Sequence, residues 1–388
     1  IKLFSLSGFD VRIDISWLLI AFLITWSLAT GLFPHYYADL TRGTYWLMGI
    51  AGAIGLFASI ILHEFCHSFA ARKFGMPMKG ITLFIFGGVA EMDEEPPSAK
   101  AEFVMAIAGP LASIVFGGTI LLLLYLQGAE TIPVFPRGVL QYLGSINLIV
   151  AGFNLLPAFP LDGGRVLRAA LWTWKKDIRT ATRIASYTGN VFGIILIVLG
   201  IFSLFSGALI SGMWWIVLGL FVRQAAHMSY HRLVMRRALE GEPVGRFMND
   251  HPVTVDKNTP VDRFVYDYVY RHHHKMFPVV DHGEGVQCVA TADIKRIDQK
   301  DWHNHAVGEI ARSCSEKNTL TPDIDAVEAL ARMHKTGNSR MIVTGGNGTL
   351  KGIITIKDLM GFLSAKLDLE GDGSGNDIQQ TVEQMKDT

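Results

Sequence analysis

His63-Glu64-Phe65-Cys66-His67 carries an H-E-x-x-H spacing. On a helix, histidines at i and i+4 share one face and can bind a single Zn²⁺. The glutamate between them can accept a proton from water activated by such an ion. The motif lies inside Tyr45–Ala71, a stretch long and apolar enough to cross a bilayer. Two imidazoles and a carboxylate are expensive in hydrocarbon, so a functional site is the default reading of them there. On a solvated helix the same motif often arises by chance; in an apolar span nothing would offset its burial. Cys66 points away from the histidine pair and reads as a packing residue.

A zinc site that hydrolyses needs three protein ligands and one open position. A third ligand is offered by Asn154-Leu-Leu-Pro157-Ala-Phe-Pro160-Leu-Asp162-Gly163-Gly164-Arg165. Pro157 and Pro160 interrupt the helix and turn Asp162 out of it. On residue types alone, Asp162 serves equally as a ligand or as the cap of a helix starting near Gly164. Asn154 reads equally as an interhelical hydrogen-bonding group.

These segments need a membrane to hold them. The chain has 388 residues, of which 50% are hydrophobic and 18% charged. That balance is too apolar for an ordinary soluble enzyme and fits a membrane protein with a soluble part. Formal net charge is zero, which gives no electrostatic reason to expect nucleic acid as a partner. The three cysteines, Cys66, Cys288 and Cys314, form neither a C-x-x-C nor a disulfide framework, and fit reduced thiols facing the cytosol. The first apolar run lacks a small-residue cleavage site and reads as a span, not a cleavable signal.

Apolar segments fall near Trp17–Phe33, Tyr45–Ala71, Phe103–Leu126, Val139–Phe159, Ala185–Phe205 and Ala208–Phe221, which predicts about six transmembrane helices, the last of them short. Between the second and third, Met78–Pro97 reads as a small re-entrant β-hairpin, tolerated at membrane depth only beside protein or a wet cavity. Lys and Arg follow the second, fourth and sixth spans, while the opposite loops hold only Arg42 and Arg137. By the positive-inside rule both termini face the cytosol in a multi-pass cell-membrane protein. His67 precedes Arg72 by roughly 8 Å of helix, so the metal is expected near the cytosolic face.

The membrane domain is assigned to residues 1–237, and a soluble α/β region follows. Two halves, 238–300 with its linker and 301–365, share a strand, a proline, an amphipathic helix, two strands and an aspartate opening a helix. A period of about 60 residues marks a duplication. The tail 366–388 is rich in Gly, Asp and Gln and is expected to lack packed structure. The run His272-His273-His274 reads as a solvated or ligand-facing cluster.

HEFCH followed by NLLPAFPLDGG resembles the site-2 protease family of intramembrane zinc metalloproteases; AIAGPLAS around Gly109-Pro110 and FGGVA also match, over roughly residues 1–230. The resemblance implies His63, His67 and Asp162 as zinc ligands, Glu64 as general base and Asn154 as the oxyanion-stabilising residue. It also implies a catalytic core made of the second, third and fourth spans. The duplicated region resembles a pair of cystathionine-β-synthase (CBS) domains. That likeness implies an adenine nucleotide (ATP or AMP) as ligand, with Thr355 and Asp358 of Gly352-Ile-Ile-Thr355-Ile-Lys-Asp358 as its contacts. In the first half Asp293 aligns, but Ala290 replaces the threonine.

The function these features predict is intramembrane zinc-dependent endopeptidase cleavage of transmembrane substrates in contact with membrane lipid. Nucleotide regulation at the CBS pair is expected, as is a homodimer, since such pairs often associate. The rival reading is a nucleotide-regulated membrane metal transporter or a non-catalytic metal-binding protein. A carrier, however, has no use for a general base between two ligands.

Overall fold

The computed structural model describes residues 2–6, 8–76, 78–84, 87–92, 95–128, 131–280, 286–314 and 318–370. The chain divides into two compact units, 1–230 and 231–388.

The first unit opens with β1 (Lys2–Leu6) and β2 (Phe9–Ile13), followed by α1 (Ile15–Ser27), a π-helical stretch Leu28–Leu32, and α2 (Phe33–Tyr36). Then come α3 (Arg42–Lys73), β3 (Met78–Phe84), β4 (Gly87–Met92), α4 (Ala99–Gln127), α5 (Val134–Asn154), α6 (Asp162–Lys175), α7 (Ile178–Phe205) and α8 (Leu209–Leu239). Six helices are long and apolar enough to cross a membrane: Ile15–Tyr36 and α3, α4, α5, α7 and α8. Large apolar side chains such as Phe22, Leu122, Phe202 and Trp214 face outward, as a lipid-facing surface requires.

Two expectations need correction here. The sixth span is not short: α8 has 31 residues. Polar residues from Arg223 onward end the apolar run, but Arg, Gln, Ala, Met and Leu are good helix formers and carry the helix on. The two compact units divide at residue 230, within α8. The β3–β4 hairpin is also only half of a sheet. The order is β1-β2-β3-β4, with β2 and β3 parallel and the other pairs antiparallel. An isolated hairpin is marginal, and the two N-terminal strands complete a sheet with an apolar face. Phe9, Val11, Ile13 and Ile81 form a buried cluster with Phe65 of α3. The Arg72 guanidinium lies 4.1 Å from the centre of the Phe9 ring. β4 is the sheet's terminal strand and pairs on one side only, among the described residues.

α3 runs 32 residues, about 48 Å at helical rise, so it exceeds the ~30 Å hydrocarbon core. α4 starts at a Ser98 cap, whose hydroxyl accepts from Ala101 N–H, and packs against α3, α5 and α6. α5 stops at Asn154 because Pro157 cannot supply the next helical N–H. The chain then folds back on itself before α6. A β-carbon on Gly163 would collide with the Leu155 and Leu156 carbonyl oxygens, so only glycine permits this return.

The second unit holds β5 (Val255–Asp256), α9 (Val261–Arg263), a π-helical stretch Phe264–Val269, α10 (Tyr270–His272), β6 (Met276–Val280), β7 (Gln287–Ala290), α11 (Thr291–Ile294), α12 (Val307–Ile310) and β8 (Arg312–Ser313). The second half follows with β9 (Thr319–Leu320), α13 (Ala326–Thr336), β10 (Arg340–Thr344), β11 (Leu350–Thr355) and α14 (Ile356–Glu370). Both halves pair a first strand parallel to a second, and the second antiparallel to a third. Their entry segments are exchanged. Asn249 exchanges two backbone hydrogen bonds with Ile353 of the second half, while β8, leading into the second half, pairs with β7 of the first. Against the expectation of an unpacked tail from residue 366, α14 continues to Glu370. Lys366 donates to the Ala238 carbonyl and pairs with Glu242, which anchors that last turn. Residues 371–388 lie outside the described residues.

Candidate metal centre

Three side chains from two helices converge on one point. α3 presents His63 and His67 on one face, and Asp162 is the first residue of α6. The two His Nε2 atoms lie 3.0 Å apart, and each lies 3.2 Å from Asp162 Oδ2. Both histidines are 6% exposed, and this is the metal-binding group of three such ligands found among the described residues.

The protonation of the histidines decides what can sit between these atoms. His67 Nδ1 faces the Met105 carbonyl oxygen at 2.6 Å. A carbonyl only accepts, so Nδ1 carries a proton, and a neutral ring would then keep its lone pair on Nε2. His63 Nδ1 lies 3.0 Å from Ser113 Oγ, which allows the same arrangement. Two imidazole lone pairs and a carboxylate oxygen then face one another, an arrangement a cation resolves. The fit to Zn²⁺ is close: bonds of ~2.0–2.1 Å in a tetrahedron place ligands about 3.3 Å apart. Nitrogen and oxygen donors, each supported by an outer hydrogen bond, suit that ion.

The fourth residue of the picture is Gly109 of α4. A β-carbon there would overlap His67 Nε2 and stand 2.6 Å from His63 Nε2. α4 approaches the imidazoles so closely that only hydrogen fits between them.

A cavity of about 520 Å³ adjoins the ligands. His63, Glu64, Asp162 and Asn154 all line it, so the sequence-predicted site residues of the membrane unit come together. Asp162 is not acting as a helix cap: Leu161 holds the cap position, and the Asp162 carboxylate faces the Nε2 atoms of the two histidines. Phe84 of β3 and Leu218, Phe221 and Val222 of α8 also line the cavity.

Several residues here were not singled out from sequence. Ser59, Ser113 and Asn147 line the cavity and are at most 5% exposed. Asn147 donates to Ser59 Oγ at 3.1 Å and to the Leu143 carbonyl at 2.8 Å. Glu102 is fully buried and accepts from Arg168 Nε at 2.6 Å. For Ser59 and Asn147 the signal available was a polar residue inside an apolar span, on the helices that carry His63 and Asn154.

In the second unit, Asp358 Oδ2 accepts from Thr355 N–H at 2.8 Å and from its hydroxyl at 2.7 Å. Asp358 also borders an open groove of about 580 Å³ with Arg246, Phe247, Lys357, Gly361 and Phe362. Asp293 occupies the equivalent place in the first half, but it is 2% exposed. Its carboxylate accepts from Ala290 N–H and pairs with Arg312 and Arg296. The rings of His272 and His274 stack 5.9 Å apart.

Comparison with known proteins follows the same division. The profile of peptidase family M50 matches residues 51–137 and 129–200, and that of the CBS domain matches residues 307–365. The Mycobacterium tuberculosis protein named "Putative zinc metalloprotease Rip3" is 34% identical over 362 residues, which cover 92% of this chain and 91% of that protein. "Zinc metalloprotease MJ0392" of Methanocaldococcus jannaschii is 30% identical over 364 residues, covering 94% and 96%. Among solved structures, "Site-2 Protease from Methanocaldococcus jannaschii" is 31% identical, covering 59% of this chain and 94% of its own, with a TM-score of 0.41. With relatives of this similarity running almost end to end, the chain belongs to peptidase family M50 and is a multi-pass membrane zinc metalloprotease that carries a CBS domain.

Proposed function

We propose that the chain hydrolyses a peptide bond of a transmembrane protein substrate within the membrane, at the site formed by His63, His67, Asp162, Glu64 and Asn154. The observation that carries this reading is the triangle of ligand atoms, 3.0 to 3.2 Å on a side, beside a cavity that Glu64 and Asn154 share. Bound by the two histidines and Asp162, Zn²⁺ would act as a Lewis acid toward water and the scissile carbonyl. The Glu64 carboxylate takes the proton of the attacking water and returns it to the leaving amine. The Asn154 side-chain amide donates to the carbonyl oxygen as it becomes negative.

A helical substrate cannot offer its carbonyls, because they are already hydrogen-bonded within the helix. The scissile segment is therefore taken as extended, added as a further strand to the free edge of β4 beside Phe84. In this reading the β3–β4 hairpin is re-entrant, the termini and second unit face the cytosol, and the metal lies near the cytosolic surface. Adenine nucleotide is assigned to the second unit, contacting Thr355 and Asp358, with Asp293 at the equivalent position of the first repeat. Its regulatory effect requires two conformations of different nucleotide affinity. A homodimer through the CBS pair completes the proposal.

The test is cleavage of a single-span substrate by the purified chain in detergent, with and without a zinc chelator. Loss of cleavage with the chelator and its return with added Zn²⁺ supports the reading; cleavage indifferent to metal removal overturns it.

A further inference from the structure

Glu102, Met105, Gly109 and Ser113 are spaced 3, 4 and 4 residues apart on α4, so they share one face of that helix. The last three meet the histidines of the metal centre, and Glu102 meets the helix that carries Asp162. Ser113 Oγ lies 3.0 Å from His63 Nδ1. The Met105 carbonyl accepts from His67 Nδ1 at 2.6 Å. Gly109 leaves room for both imidazoles. Glu102 Oε1 accepts from Arg168 Nε at 2.6 Å and lies 3.9 Å from Arg165 Nε. Arg165 and Arg168 stand one and two turns into α6, the helix that Asp162 opens.

Glu102 is 0% exposed and Arg168 8%, and Glu102 Oε2 has no hydrogen-bond partner among the described residues. A carboxylate buried this fully is tolerated only where its charge is matched, and a pair so placed fixes the two helices in one register. The peptidase step uses neither Glu102 nor Ser113.

We propose that this face of α4 is the positioning layer of the metal site, with Ser113 and Glu102 as positioning residues. The inference rests on the reading of His63, His67 and Asp162 as zinc ligands. Ser113 holds the proton of His63 on Nδ1 and fixes the ring plane, which leaves Nε2 free to bind. Glu102, through Arg168, fixes the start of α6 and so places the Asp162 carboxylate. One rigid helix thereby orients ligands that come from two others.

The experiment measures Zn²⁺ affinity of the full chain in detergent by competition with a chromophoric chelator. Wild type, Ser113→Ala, Ser113→Thr and Glu102→Gln are compared, and thermal unfolding of the zinc-free proteins is recorded alongside. The expected result is about 10- to 100-fold weaker zinc binding for Ser113→Ala and Glu102→Gln. Ser113→Thr, which keeps the hydroxyl, should recover most of the loss. Zinc-free Ser113→Ala should unfold at the wild-type temperature. Wild-type affinity in Ser113→Ala, or equal weakening in Ser113→Ala and Ser113→Thr, overturns the proposal and leaves the zinc assignment intact. A wild-type chain that binds no zinc overturns the ligand assignment itself. Should Glu102→Gln not fold, the two Ser113 variants decide.

Discussion

Gly109 of α4 stands so close to His67 of α3 that an alanine β-carbon would overlap the Nε2 atom. Helix propensity alone favours Gly109→Ala by about 0.5–1 kcal/mol. The contact with His67 opposes it and wins, because the imidazole is held from behind by the Met105 carbonyl. Gly109→Ala is expected to keep its helix content and lose its zinc, as measured by circular dichroism and metal analysis. Full zinc content in this variant would show that the two helices can separate without harming the site.

Asn154 lines the cavity with Glu64, and its side-chain amide has no hydrogen-bond partner among the described residues. A donor kept for a developing oxyanion behaves in this way. Asn154→Ala should retain zinc and lose about 10²- to 10³-fold in kcat. An unchanged kcat would assign Asn154 to packing between helices.

The histidine pair could be read from sequence because its spacing is local, i and i+4 on a helix, whereas residue types left Asp162 equally a ligand or a cap and only the family resemblance pointed to it as a ligand. The six spans were legible for a similar reason, since hydrophobic length is a property of contiguous residues. What was not legible is tertiary. Nothing near Phe9 indicates that Phe9–Ile13 pairs with a strand some 70 residues later, and that pairing joins the expected hairpin into a four-stranded sheet. α8 extended past its apolar stretch because helix propensity and hydropathy end at different residues. Ser113 and Glu102 looked unremarkable because their partners, His63 and Arg168, lie 50 and 66 residues away.

β4 ends the sheet among the described residues, and its outer edge is the proposed seat of an extended substrate. Proline at a β4 position whose N–H points away from β3 removes a donor from that edge without breaking the hairpin. Such a variant should bind zinc as wild type does and cleave a transmembrane substrate poorly. Cleavage at the wild-type rate would discard strand addition.

Asp358 borders a groove that also contains Arg246 and Lys357, a cationic setting for phosphate. ATP binding measured by equilibrium dialysis should weaken in Asp358→Ala. Cleavage by wild type should change between zero and saturating ATP. Equal rates in both conditions would separate the second unit from control of the protease.

Glu64 is proposed as the general base beside a zinc held by His63, His67 and Asp162. The most direct test is cleavage of a single-span substrate in detergent by wild type and Glu64→Gln, with zinc measured in both. Wild type should cut and Glu64→Gln should lose about 10²- to 10⁴-fold in rate while holding the same zinc. Cleavage by Glu64→Gln at the wild-type rate, or a wild-type chain that cuts without zinc, would contradict the account.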